Sequence, residues 1–192
     1  MVAISSWLAD YAGIKDAAVT AVGKIEEVKG DEYDYLRNQY YKRNIKRTAE
    51  SVGSDLWVGG KTLVNSNTVL GDNVHFLGLQ VRGGGRVTIG DNFHSGSGCD
   101  LLTENHNYEG EALPYDESFV RDPVSIGDNV WIGIDVTVVP GVSIGEGVIV
   151  QSGSVVTHDI PSGAIAGGHP AEAFDRRDMD HYERLKSEGK FN

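Results

Sequence analysis

The stretch IGDNVWIGIDVTVVPGVSIGEGVIVQSGSVVTHDIP, residues 126–161, repeats its pattern of apolar and polar residues every six positions. One apolar row has no exception, and a second row, two places ahead of it, misses only at Ser154. The first row consists of Ile126, Ile132, Val138, Ile144, Val150 and Val156. A helix would scatter this row around its axis, whereas six is a multiple of the two-residue period of a strand. The pattern therefore predicts very short β-strands.

The residues between these strands are typical of sharp corners. Gly127-Asp128-Asn129 is one such corner, and Gly, Asn and Asp tolerate the positive φ that a corner requires. Because the inward rows never change phase, the strands cannot fold back on one another as hairpins. We expect them to wind into a coil whose successive turns stack as parallel sheets. The same period runs from Val52 to Phe76 and resumes at Ile89.

One segment within the coil, TENHNYEGEALPYDESFVRD at residues 103–122, shows no repeat. A long unstructured excursion from a compact domain is usually functional or disordered. We therefore expect residues 103–122 to form a loop that is extruded from the coil.

These boundaries predict three segments. The coil occupies residues 51–168 and makes the protein mainly β. Residues 1–50 are expected to be helical, because apolar residues recur three or four positions apart between Trp7 and Ile25 and a second, basic helix fits residues 32–49. Residues 169–192 are expected to form a short helical tail.

Composition narrows the class of protein. The 192 residues carry a formal net charge of −11, which argues against a general nucleic-acid binder. No run approaches the ~20 apolar residues that a membrane span needs, and the first ten residues lack the basic start and apolar core of a secretory signal. The single cysteine, Cys99, leaves no partner for an internal disulfide. We expect a cytoplasmic protein with no nucleic-acid partner and no membrane span.

Residues 126–171 resemble the hexapeptide-repeat acyltransferases, a family that includes galactoside, maltose and xenobiotic acetyltransferases. The motifs VWIG, VVPGVSIG and SVVTHDIP carry this resemblance, which extends over residues 52–171. It implies a left-handed parallel β-helix, a homotrimer and acetyl-CoA as co-substrate, with no metal required. The implied reaction moves an acetyl group to a hydroxyl or amine of a sugar or surface-polysaccharide precursor.

The same resemblance implies that His106 is catalytic, because it follows Ile89 by 17 positions, as in the sugar acetyltransferases. A sugar hydroxyl is a poor nucleophile until a base removes its proton, and imidazole titrates near neutral pH. Four residues of the same loop are the candidates for contact with the acceptor. They are Glu104, Asn105, Tyr108 and Tyr115.

Trp131 and Ile149 lie 18 positions apart, so three strands per coil would stack both outward on one face. The resemblance implies that Trp131 lines the CoA cleft between subunits and that amides near Gly133 and Ile134 stabilise the oxyanion. The remaining candidates for CoA binding are Ser152, Thr157, His158, Arg176 and Arg177. Relatives carry bases where this chain has His158, Glu172 and Asp175, so the two adjacent arginines are expected to hold the phosphates instead.

Two other classes of protein are alternatives to the acetyltransferase. A non-catalytic scaffold would use the coil only for assembly, and the missing CoA bases favour it, whereas a histidine in an extruded loop does not. A γ-type carbonic anhydrase needs a His-x4-His pair of metal ligands, and His75, His94 and His106 do not supply that interval.

Overall fold

The computed structural model describes residues 31–192, with side chains described from residue 34 onward. The predicted helix between Trp7 and Ile25 lies outside these residues. Helix α1 spans Asp31–Thr48. By its internal packing the chain divides into a unit that ends at Arg37 and a unit that runs from Asn38 to Asn192. In the first unit Arg37 pairs with Asp34, one helical turn earlier, at 2.8 Å.

The second unit contains eighteen short strands and one further helix. In chain order the strands are β1 (Ser51–Val52), β2 (Trp57–Val58), β3 (Thr68–Leu70), β4 (His75–Phe76), β5 (Leu79–Arg82), β6 (Val87–Ile89), β7 (His94–Ser95), β8 (Cys99–Leu102), β9 (Glu104–His106), β10 (Phe119–Arg121), β11 (Val124–Ile126), β12 (Trp131–Ile132), β13 (Thr137–Val138), β14 (Ser143–Ile144), β15 (Ile149–Val150), β16 (Val155–Val156), β17 (Ala164–Gly168) and β18 (Ala171–Arg176). The helix is α2 (Met179–Ser187).

Three sheets form the faces of a prism. Sheet A contains β1, β3, β6, β11 and β14, sheet B contains β2, β4, β7, β12, β15, β17 and β18, and sheet C contains β5, β8, β13 and β16. Neighbouring strands are parallel except for β17 and β18. The chain visits the sheets in the order A, B, C through about six turns. The predicted parallel β-helix is confirmed, and the structure is consistent with the left hand expected for it.

The interior of the prism holds the predicted apolar rows. All six members of the first row, Ile126 through Val156, are at most 3% exposed. Burying an aliphatic side chain of this size contributes about 1.5–3 kcal/mol, so the rows account for much of the stability of the coil. Ser154, the one polar residue of the second row, is also buried. Its hydroxyl donates to Gln151 O at 2.6 Å and accepts from Gly168 N at 3.2 Å, which satisfies it.

Corners between the faces define three edges. The AB edge includes residues 127–129 and 145–147, the BC edge includes residues 133–135 and 151–153, and the CA edge includes residues 139–141 and 157–159.

Side-chain amides stack along the AB edge. Asn73, Asn92 and Asn129 have φ between 54° and 58°, the left-handed conformation that Asn adopts more readily than most residues. Asn73 donates to Asn92 Oδ1 and Asn92 donates to Asn129 Oδ1, both at 2.9 Å. Asn129 Nδ2 then donates to the hydroxyl of Tyr182 on α2 at 2.8 Å. This amide ladder ties three coils and the C-terminal helix together.

Two segments differ from their predicted form. Residues 103–122 were expected as an unstructured loop, but β9 and β10 pair antiparallel within them, because cross-strand bonds satisfy backbone groups that have left the coil. The short helix predicted in the tail is confirmed as Met179–Ser187, but β18, which was not predicted, first folds back on β17. Asp178 begins that helix by accepting the backbone N–H of His181 at 3.0 Å.

Candidate active site

His106 lies at the end of β9, on the extruded arm formed by residues 104–121. It pairs across the hairpin with Phe119. Its imidazole stacks on the ring of Tyr115 with centroids 3.8 Å apart and an interplanar angle of 14°. The Phe119 ring lies 4.7 Å from it at 35°. Two aromatic rings thus hold an exposed imidazole, and a cavity of about 430 Å³ opens beside it.

Glu104 lies at the base of the arm. Its Oε2 accepts the backbone N–H of Gly84 at 2.9 Å and the Nε of Arg121 at 2.8 Å. The hydrogen bond from Arg121, followed by the one from Gly84, holds the pKa of Glu104 below its usual range. This carboxylate therefore joins the two strands of the arm to the coil.

The other predicted acceptor residues lie on the arm with exposed side chains. Asn105 faces Val120 across the hairpin. Tyr108 is 74% exposed near the tip, and Tyr115 is the residue that stacks on His106.

Trp131 projects outward from sheet B and is 54% exposed. It stands in register with Ile149 on one side and His94 on the other. The predicted outward stack of Trp131 and Ile149 is confirmed. The column continues through His75, whose ring centroid lies 4.3 Å from that of His94. Burial, and then the neighbouring His94, lower the pKa of His75.

Gly133, Ile134 and Ser152 lie together at the BC edge. Gly133 N–H donates to Val150 O at 2.8 Å, as part of the ladder that stacks the coils. Ile134 N–H donates to the Ser152 hydroxyl at 3.0 Å. The acceptor for the Ile134 N–H is therefore a hydroxyl that can rotate, rather than a backbone carbonyl.

Thr157 and His158 lie at the CA edge, the same edge from which the arm leaves. The Thr157 hydroxyl lies 2.8 Å from His158 Nδ1, and the His158 side chain is exposed. This pair is two coils further along the chain than the arm.

Arg176 and Arg177 have separate environments. Arg176 ends β18 and is exposed. Arg177 donates from Nε to Gly147 O at 2.6 Å at the AB edge, and its guanidinium carbon lies 5.6 Å from the centre of the Tyr182 ring. The side chains of Arg176 and Arg177 therefore lie on different parts of the surface, although the two residues are adjacent in sequence.

One chain does not bring the predicted site residues together. The BC-edge group of Gly133, Ile134 and Ser152 adjoins Trp131. His106 lies instead on the arm that extends from the CA edge, and Arg177 lies at the AB edge. The sequence alone indicates no more for His94 than an ordinary surface or interface residue. The only signal for its position was the register of the repeat, which places it one coil before Trp131 on the same face.

Residues 34–192 contain no group of three or more His, Cys, Asp or Glu side chains placed to hold a metal ion. Neither α1 nor α2 is long and apolar enough to cross a membrane.

Comparison with known proteins supports a family assignment. Residues 123–158 match the family model for the bacterial transferase hexapeptide (six repeats). The chain is 33% identical over 144 residues to the galactoside O-acetyltransferase of Escherichia coli (strain K12), which covers 72% of this chain and 70% of that enzyme.

Solved structures show the same architecture. A galactoside acetyltransferase in complex with coenzyme A has a TM-score of 0.66 and 28% identity, over 84% of this chain and 80% of that one. A hexapeptide-repeat-containing acetyltransferase of Vibrio cholerae O1 biovar eltor, complexed with acetyl coenzyme A, has a TM-score of 0.61 and 24% identity, over 69% and 74%. The second similarity concerns the fold alone.

The coil and its repeat define a transferase of the hexapeptide class. More closely, the chain belongs to the hexapeptide-repeat acetyltransferase family, as predicted, and it is an acyltransferase.

Proposed function

We propose that the protein transfers an acetyl group from acetyl-CoA to a hydroxyl or amine of a sugar or surface-polysaccharide precursor. His106 is the general base, and the reaction takes place at the interface between subunits of a homotrimer. A cytoplasmic location, expected from the sequence, suits an enzyme that consumes acetyl-CoA.

The observation that carries this proposal is the separation of His106 from Trp131. The arm leaves the coil at the CA edge, whereas Trp131 and the Ile134 amide lie on sheet B and at the BC edge. A second copy brings one chain's arm to another chain's sheet B, as symmetric oligomers do with a heterologous interface. Each complete site then needs two subunits.

His106 performs the proton transfers in this mechanism. Its imidazole takes the proton from the acceptor O–H or N–H, and the acceptor atom forms a bond to the thioester carbonyl carbon. The carbon–sulfur bond then breaks, and the imidazolium returns the proton to the leaving thiolate. Tyr115 and Phe119 hold the imidazole in place, so that it loses little rotational entropy on reaching the transition state.

The Ile134 amide is the donor best placed to stabilise the oxyanion. It becomes free when the Ser152 hydroxyl rotates away, and no backbone ladder bond is broken. Gly133 N–H stays in the ladder and orients the corner.

Acetyl-CoA is held, in this proposal, by Trp131, the Ser152 corner and the pair of Thr157 and His158. The exposed Arg176 supplies the positive charge for its phosphates. Arg177 was expected beside it, but its place at the AB edge favours a different ligand.

The test is a thiol-release assay with acetyl-CoA and a panel of sugars and amino sugars. His106→Ala should abolish turnover while leaving the trimer and acetyl-CoA binding intact, as measured by sedimentation and calorimetry. Turnover that survives in His106→Ala would refute the general base. Loss of the trimer in that variant would show that His106 is structural.

A further inference from the structure

A second cavity, of about 430 Å³, lies between the outer face of sheet B and the C-terminal helix. His94 and Trp131 form its wall on the sheet. The opposite wall is formed by Lys186 on the helix, Arg177 just before the helix and Lys190 just after it. The cavity is therefore continuous with Trp131, where the proposed function places the acetyl transfer.

This cavity is basic in an acidic protein. The whole chain carries −11, and residues 48–170 contain fifteen Asp and Glu but only four Lys and Arg. Within the described part of the chain, neither Asp nor Glu lines the cavity. Three basic side chains line this cavity, whereas acidic residues outnumber basic ones almost four to one over residues 48–170.

The bases are not equally free. Lys186 pairs with Glu146, and Lys190 pairs with Glu188 at 2.6 Å. Arg177 has no carboxylate partner within residues 34–192 and uses its Nε on Gly147 O. Its two terminal nitrogens are left to bind a ligand, and a guanidinium offers them in the fork that matches phosphate.

The same cavity presents aromatic rings. Trp131 is 54% exposed and Phe191 is 49% exposed, and the Tyr182 ring forms part of the wall. Such rings pack against the apolar face of a sugar while their edges stay wet. Rings beside bases suit a ligand that combines a sugar with a phosphate.

We propose that the acceptor is a phosphorylated sugar and that Arg177, with Lys190, binds its phosphate in this cavity. The inference rests on the proposed function, since it deepens the acceptor side of the same site. Acetyl-CoA also carries phosphates, but its pantetheine arm separates them from the thioester. If the thioester lies at Trp131, a phosphate in the adjoining cavity comes from the acceptor.

Calorimetry without acetyl-CoA tests the binding directly. The probes are glucosamine 1-phosphate, its neutral counterpart methyl glucosaminide, and uridine diphosphate. Glucosamine 1-phosphate should bind at least tenfold more tightly than methyl glucosaminide. If uridine diphosphate binds as tightly as the phosphosugar, the natural acceptor is a nucleotide sugar; if it binds more weakly, the acceptor is a simple sugar phosphate. Equal affinity of the charged and neutral sugars would overturn the inference.

Variants then assign the site. Arg177→Gln and Lys190→Ala should each raise the KM for glucosamine 1-phosphate about tenfold, which is the loss of one hydrogen bond to a charged group, and leave the KM for acetyl-CoA unchanged. Lys190→Ala keeps the test valid if Arg177→Gln fails to fold. Arg184→Ala is the matched control, because Arg184 is an exposed base of α2, the helix between Arg177 and Lys190, and does not line the cavity.

The outcomes separate this inference from the proposed function. A rise in the KM for acetyl-CoA would assign the cavity to CoA and overturn the inference, although acetyl transfer by His106 would stand. Turnover by His106→Ala would refute the proposed function, and the calorimetric preference for the phosphosugar would still be measurable.

Discussion

The imidazole of His106 lies nearly parallel to the phenol ring of Tyr115, at a centroid distance of 3.8 Å. The contact joins the last residue of β9 to the far side of the hairpin loop. It restricts the rotation of an exposed ring that the packing of the coil does not reach. A base that is already oriented loses less entropy when the acceptor binds.

Tyr115→Ala should therefore lower kcat about threefold to tenfold, since a stacked aromatic pair contributes about 0.5–1.5 kcal/mol. Tyr115→Phe keeps the ring and should retain most of the activity. Steady-state kinetics of both variants check this. Equal defects in the two variants would mean that the hydroxyl, rather than the stacking, is what matters.

Arg176→Ala should raise the KM for acetyl-CoA about tenfold, the lower end of what a hydrogen bond to a charged group contributes. Lys61→Ala, an exposed base of the first coil, serves as the control for net charge. An unchanged KM in Arg176→Ala would remove this residue from the CoA site.

Subunit mixing tests whether two chains share each site. His106→Ala and Trp131→Ala should each be nearly inactive when pure. Refolded together in equal amounts, about one site in four would combine an intact arm with an intact Trp131, if subunits associate at random around a threefold axis. Activity in the mixture supports the shared site, whereas a mixture as inactive as its components would place both residues in one subunit's site.

Glu146 predicts a pH dependence of stability. The hydrogen bond from Lys186, followed by that from Tyr182, holds the pKa of Glu146 below its ordinary 4.5. A lowered folded-state pKa stabilises the protein above the unfolded-state value and ceases to do so as the pH falls through the folded-state value. Glu146→Gln should therefore lower Tm by a few degrees at pH 7, and this difference should vanish in acid.

Thermal melts of the wild type and Glu146→Gln between pH 7 and pH 3 provide the measurement. Glu172→Gln is the control, because the Glu172 carboxylate is exposed and has no partner in the described side chains. A Tm difference that is the same at every pH would show that the effect of Glu146→Gln does not depend on its charge.

The interior of the fold could be predicted from the sequence because its pattern is strictly periodic. Ile132 and Val138 are buried where the period of six places them. Trp131 stacks on Ile149 because three repeats of six residues bring the chain back to the same face after 18 residues. The β-helix follows from this local rule, which long-range contacts do not override.

The arm and the tail were predicted less well for the opposite reason. The pairing of His106 with Phe119 joins residues 13 positions apart whose sequence has no period. The cavity beside Trp131 depends on where α2 packs, and Arg177 and Lys190 show no pattern that links them to His94. Contacts of this kind arise only in the folded chain.

The amide ladder at the AB edge has a direction, and this determines where it stops. The side-chain amide of each asparagine donates a hydrogen bond to the asparagine of the next coil. The last of them, Asn129, donates to the Tyr182 hydroxyl. Tyr182 in turn donates to Glu146 at 2.7 Å, and an ionised carboxylate has no proton to pass on. The C-terminal helix therefore ends the ladder. Whole coils can be inserted or deleted upstream without leaving an amide that lacks a hydrogen-bond partner, provided that the last asparagine still contacts Tyr182.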